Sequence, residues 1–166
     1  MLELLLKYNH KVAILTKGGK RSLNDLELLK KFGNRIKVGQ TLTFENSEHS
    51  KVWEEGGAFP DERIEALKIL HENGIKTWSS FEPVIIPDQS LNLLSKVASI
   101  VDTVKIGKIN NYNGINKIIN WADFIKNSVE ICRQNNLPFY IKNDLAAFNK
   151  GTPLKESERN QDFLNL

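Results

Sequence analysis

The spacing of apolar positions switches between a period of two and a period near 3.6, and the switches order the chain into strands and helices. Val12-Ala13-Ile14-Leu15-Thr16 reads as a parallel strand, apolar on both faces. Over 35–43, Ile36 and Val38 fall on one face and Lys37, Gly39, Thr41 and Thr43 on the other. Over 76–85, Trp78, Ser80 and Glu82 share a face. Over 103–108, Val104 and Ile106 oppose Thr103, Lys105 and Gly107. Residues 137–141 form a fifth strand that carries Tyr140 and Lys142 toward the polar side.

Helical spacing fills the intervals. Leu2, Leu5 and Leu6 mark a short leading helix over 2–9. Ser22-Leu23-Asn24-Asp25 resembles a capping box and predicts a helix to about Phe32, stopped by Gly33. Pro60, with Asp61 and Glu62 in the first turn, predicts a helix buried along Ile64, Leu67 and Leu70 and ended by Gly74. Pro87 and Asp88 open the next, with Leu91, Leu94 and Val97 in register. Ile125, Val129 and Cys132 form the stripe of a helix over 120–135, and 144–148 is a short helix. Loops remain at 17–21, 44–59 and 110–114. Strands alternating with helices predict an α/β fold: a partial TIM-type (β/α) barrel, with about five parallel strands inside outer helices. The apolar strand faces must meet the helices, so the polar faces point inward. Glu82 and Lys105 are then expected as neighbours within pairing distance.

Length supports one domain, since 166 residues fall short of the roughly 250 of a complete eight-stranded barrel. A 26% charged and 40% hydrophobic composition is that of a soluble globular chain. The net charge of +3 is explained by lysine-rich solvated helix faces and supports a nucleic-acid partner only weakly. A single cysteine, Cys132, allows neither an internal disulfide nor an all-cysteine metal site, so no metal ligands are assigned and a reducing cytoplasm is expected. No apolar run approaches the roughly 20 residues of a membrane helix.

Candidate chemistry gathers at strand ends. Lys17 with Gly18-Gly19 can hold a carboxylate or phosphate, or be a solvated basic loop. Thr41 and Thr43 offer inward hydroxyls suited to ribose or carboxylate contacts. Glu82 can orient a cationic or hydroxylated ligand, or pair structurally with Lys105. Lys105, Lys108 and Lys142 lie near strand ends, where a desolvated lysine can form a Schiff base and a solvated one merely balances charge.

Five motifs in order then resemble one family. They are Val12 to Lys17, Gln40-Thr41-Leu42-Thr43, Gly56-Gly57-Ala58-Phe59-Pro60-Asp61-Glu62-Arg63-Ile64-Glu65-Ala66-Leu67, Phe81-Glu82-Pro83-Val84-Ile85 with Val104 to Asn110, and Phe139 to Leu145. Together they are similar to the radical S-adenosylmethionine proteins related to spore photoproduct lyase, the DNA-repair photolyase-like group, over residues 1–148. The resemblance implies a partial (β/α)6 barrel, a [4Fe-4S] cluster on a CxxxCxxC loop, and reductive cleavage of S-adenosylmethionine to a 5′-deoxyadenosyl radical. It also implies cofactor contacts for Lys17 (methionine carboxylate), Thr41 and Thr43 (carboxylate or ribose), and Glu82 and Val84 (ribose and adenine). Lys105, Lys108, Asn110, Tyr140 and Lys142 become substrate-side candidates.

The sequence departs from the family in lacking CxxxCxxC and the acidic motif of the second strand. The expectation is therefore the carboxyl-terminal portion of such a barrel, truncated or split and inactive alone. Its partner would be an amino-terminal half carrying the cysteines, or a second copy associating through an exposed strand edge. Residues 149–166 would be a flexible tail. The alternative is a degenerate barrel that binds a ligand or partner without radical chemistry.

Overall fold

The computed structural model describes residues 1–159. Five parallel strands, β1 (Val12–Thr16), β2 (Ile36–Thr41), β3 (Lys76–Val84), β4 (Thr103–Lys108) and β5 (Phe139–Ile141), lie side by side in chain order. The expected α/β partial barrel is therefore observed, with the helices outside. α1 (Leu2–Lys7) precedes β1, and α2 (Leu26–Lys30) follows it. α3 (Ser47–Trp53) and α4 (Pro60–Glu72) join β2 to β3, and α5 (Pro87–Val97) joins β3 to β4. α6 (Asn113–Ile118) and α7 (Trp121–Gln134) join β4 to β5, and α8 (Asn143–Ala146) follows.

Strand parity sorts the faces as the alternation requires. Ile36 and Val38 enter an apolar cluster with Leu29, Phe32 and Leu70. Phe81, Val104, Ile106 and Ile141 enter a second with Leu67, Leu94, Val97, Ile125 and Val129. The inner face is polar above and aromatic below. Gly39 lies opposite Trp78, and a Cβ on Gly39 would fall 2.5 Å from the indole. The missing side chain lets Trp78 lie across β2 and donate from Nε1 to the Ile14 carbonyl at 3.0 Å. That indole closes the floor of the lumen, so polar groups gather at the carboxyl ends of the strands.

Several local expectations change. Ser22 opens no α-helix: residues Gly19–Leu23 form a 3-10 turn. The Ser22 hydroxyl is taken by the Gly19 carbonyl and the Gln40 amide. The segment 44–59 is not all loop. Asn46 accepts from the Glu48 and His49 N–H groups at 2.8 and 3.1 Å and so nucleates α3. The 110–114 loop likewise runs into α6. β1 is apolar in sequence but covered on one side only, with Leu15 exposed toward the lumen. Part of the expected tail lies within the described residues: Arg133 donates to the Glu158 carboxylate and the Pro153 carbonyl, tying this stretch to α7. Residues 160–166 lie outside the described residues. No helix among the described residues is long and apolar enough to cross a membrane.

Candidate functional site at the strand ends

Two ion clusters and one small cavity occupy the carboxyl ends of the strands. The first cluster sits above β1 and β2. Arg63 follows Pro60-Asp61-Glu62 in the first turn of α4 and is 1% exposed. Its guanidinium donates to the Ala58 carbonyl at 2.8 Å and the Thr41 carbonyl at 2.9 Å. It also meets Glu54 Oε2 at 2.9 Å. The Glu54 carboxylate accepts from Ser50 Oγ at 3.0 Å and faces the Lys17 ammonium at 2.9 Å. Burial pushes the Glu54 carboxyl up, but hydrogen bonds and charge from Arg63 and Lys17 outweigh it and hold it below its usual range. Gly57 permits this packing, since a Cβ there would lie 2.7 Å from the Arg63 Nη2. Neither Glu54 nor Arg63 was foreseen as a site residue. The signal was present: Arg63, Leu67 and Leu70 share the i, i+4, i+7 stripe, so a cation stands on a buried face.

The second cluster lies across β3, β4 and β5. Glu82 pairs with Lys105 at 3.5 Å through Oε2 and with Lys142 through Oε1. The expected inward Glu82–Lys105 pair is thus present, with Lys142 as a third member. Tyr140 is in register with Lys105 and half-buried. Burial alone would lower the Lys142 pKa, but the Glu82 hydrogen bond and charge raise it above the ordinary lysine value. The Glu82 contact thus favours the protonated ammonium of Lys142, the form that does not add to a carbonyl. Lys108 stays apart: its Nζ donates to Asn110 Oδ1 at 2.9 Å and lies over the Phe148 ring. Asn110 in turn donates to Asp144 at 3.0 Å.

Between the clusters lies a cavity of about 190 Å³. Phe44, Trp53, Tyr112, Pro83, Ile85 and Ile109 supply its apolar wall; Lys17, Thr43, Glu54 and Asn110 supply its polar groups. Trp53 stands edge-on to Tyr112 with ring centres 5.9 Å apart, and Phe44 is 6.2 Å from Trp53. The Thr43 hydroxyl is buried here with no hydrogen-bond partner. Such a group costs free energy until a ligand or water satisfies it. Thr41 contributes its carbonyl to Arg63. Val84 does not reach the cavity; it is buried in the outer apolar core while its neighbours line the wall. A larger hollow of about 660 Å³ shares Lys17, Trp53 and Glu54 but is floored by Leu2, Ile14, Leu29 and Val38 on the helix side of β1 and β2. Its lining also includes the polar Thr16, Arg21, Ser22, Asp25 and Glu55.

An iron–sulfur cluster does not fit these residues. Such a cluster takes three or four thiolates. Cys132 alone is available, on the buried face of α7, with burial pushing its thiol up to about 12.

Comparison with known proteins supports the architecture. No protein-family model matches the chain. An uncharacterized protein of Methanocaldococcus jannaschii is 42% identical over 77 residues, which is 46% of this chain and 29% of that protein. The crystal structure of Streptococcus suis SuiB superposes over 95% of this chain and 40% of its own, with a TM-score of 0.64 and 18% identity. SuiB bound to S-adenosylmethionine and SuiB bound to its precursor peptide SuiA each superpose over 93% of this chain and 38% of their own, with a TM-score of 0.63 and 18% identity. This chain shares the fold of the matched part of SuiB. It spans under a third of the M. jannaschii relative and about two fifths of SuiB.

Proposed function

We propose that these strand ends form part of an S-adenosylmethionine site in a barrel of the radical S-adenosylmethionine type, related to the spore photoproduct lyase group. The observation that carries the reading is the Thr43 hydroxyl, buried and unpartnered in a cavity walled by Trp53, Tyr112 and Phe44 and shared with Lys17. Its volume of about 190 Å³ is below the roughly 300 Å³ at which small-molecule pockets begin. It therefore takes one ring-sized part of the cofactor while the rest lies along the open inner face. The aromatic wall suits the adenosine portion, with Thr43 satisfied by a ring or ribose group and Glu82 at the ribose side. Lys17 suits the methionine carboxylate. An ammonium has three donors, and the bond to Glu54 takes one. SuiB, with the same strand arrangement, has been crystallised with S-adenosylmethionine.

Radical chemistry on S-adenosylmethionine would need an iron–sulfur cluster, which these residues do not hold. The cluster thiolates for that chemistry would come from polypeptide outside these 166 residues, such as a half carrying CxxxCxxC. The lone buried Cys132 favours a second reading for this chain by itself: ligand binding without radical chemistry. Titration with S-adenosylmethionine, followed by tryptophan fluorescence and equilibrium dialysis, tests the site. Thr43→Val should weaken binding about tenfold, the effect of one buried hydrogen bond. No saturable binding by the wild-type chain would refute the assignment.

A further inference from the structure

The part of the cavity wall that comes from the β2–β3 connection is held from outside by one side chain. Thr43 and Phe44 begin that connection, Trp53 and Glu54 end α3, and all four line the cavity. Between them, Glu45 and Asn46 direct their backbone N–H groups to a single acceptor, Gln89 Oε1 in the first turn of α5, at 2.9 and 3.0 Å. Those two donors fix which way the Gln89 amide points. Its nitrogen must then donate, and it stands 2.9 Å from His49 Nδ1 in α3. Nδ1 is therefore the acceptor, and the neutral ring carries its hydrogen on Nε2. The Phe44 ring packs beside the imidazole, with ring centres 5.9 Å apart.

We propose that Gln89 and His49 form a pH-sensitive latch on the cavity wall, closed while the His49 ring is neutral and opened when the ring takes a second proton. An imidazolium carries hydrogen on both nitrogens, so no turn of the ring restores an acceptor. The Gln89 amide cannot turn over to accept from it without withdrawing its oxygen from the Glu45 and Asn46 N–H groups. The charges nearby do not titrate in its place. From α5, Lys96 at 2.8 Å and Asn92 at 3.0 Å engage the Glu45 carboxylate and hold it below its usual range, so it stays ionised while histidine titrates. Asp88 precedes Gln89 on α5, and Glu48 and Lys51 flank His49 on α3. Among the described residues no carboxylate lies within ion-pair distance of the His49 ring to hold an imidazolium in place. The Glu45–Lys96 pair therefore keeps the connection tethered while the Gln89 end lets go, which loosens the start of the helix that carries Trp53 and Glu54. The latch concerns the wall and not the ligand. It is tested without S-adenosylmethionine, and its failure would leave the cofactor reading standing.

The test is NMR of the wild-type chain. Long-range proton–nitrogen spectra of the histidine rings at about pH 8 read the tautomer. A bare Nδ1 on His49 supports the latch, and a neutral ring protonated at Nδ1 overturns it. As the pH is lowered from about 8 to about 5, exchange protection of the Glu45 and Asn46 amides should fall about fivefold in step with protonation of His49, the effect of one lost hydrogen bond. The Trp53 indole resonance should move with the same midpoint. Gln89→Met should show the lower protection already at the higher pH, with no response to His49. His49→Ala leaves the Gln89 oxygen on its two N–H groups and should keep protection at both pH values. Where Gln89→Met fails to fold, His49→Ala decides. A fall in protection that persists in His49→Ala, or protection that stays unmoved while His49 titrates in the wild-type chain, overturns the latch.

Discussion

The two ion clusters have the same stoichiometry and opposite characters. In each, one carboxylate stands between two cations at the carboxyl ends of parallel strands. Around Glu54 the guanidinium donors are spent: Arg63 is 1% exposed and divides them among two carbonyls, a hydroxyl and the carboxylate, while Lys17 stays partly exposed. Around Glu82 the partners are two lysines, flexible and partly solvated. A guanidinium locked by carbonyls fixes the backbone of the 54–58 turn. Two partly exposed ammonium groups on one carboxylate fix no backbone turn in this way. Burial and donor type, more than charge count, separate the buried Arg63, which holds the fold together, from the partly solvated lysines.

The largest expected effect breaks this comparison most cleanly. Glu54→Gln should cost about 3–5 kcal/mol, since it leaves the buried Arg63 without its counter-charge. Glu82→Gln should cost about 1 kcal/mol, because its lysines can turn to water. Denaturant unfolding of both variants measures the difference. Equal losses would erase the distinction drawn here.

Next in size are two glycines that play matching parts. Gly57→Ala drives a methyl within 2.7 Å of the Arg63 guanidinium and 3.0 Å of the Glu54 carbonyl, neither of which can yield. A loss of about 2 kcal/mol is expected. Gly107→Ala meets the ends of Lys142 and Glu82, which can swing aside, so its cost should stay under about 1 kcal/mol while the cluster is displaced. Thermal unfolding of both variants measures the two effects.

The smallest effect is pH dependence. The Glu54 carboxyl is held below its unfolded value of about 4.3, so its stabilisation is fully present above that pH and is lost as pH falls through the folded value. Acid unfolding of the wild-type chain should steepen below about pH 4. Glu54→Gln should flatten that limb. An unchanged acid limb in the variant would mean that other carboxylates govern it.

Much of the fold was legible because parallel strands write their inner and outer faces as alternation. Ile36 and Val38 against Lys37 and Gly39 place β2, and the parities of Glu82 and Lys105 put both on the inner face. Lys142 was placed on the same side, but its pairing with Glu82 needed the β4–β5 register. Glu54 was hidden because α3 is short and polar, and its start depends on the single side chain of Asn46. Trp53 and Tyr112 come together only through the packing of two connections that read as loops. Val84 misled because the register shifts between Phe81 and Val84, moving Pro83 and Ile85 to the cavity and Val84 to the core.

The central claim is that a cofactor of the S-adenosylmethionine type binds between the two clusters. Backbone amide NMR of the chain titrated with S-adenosylmethionine tests it most directly. Saturable shifts should concentrate at Thr43, Trp53, Asn110 and Tyr112 and be absent around the buried Cys132. Shifts confined to the hollow beside Leu2 and Leu29, or no saturable shifts, would contradict the account.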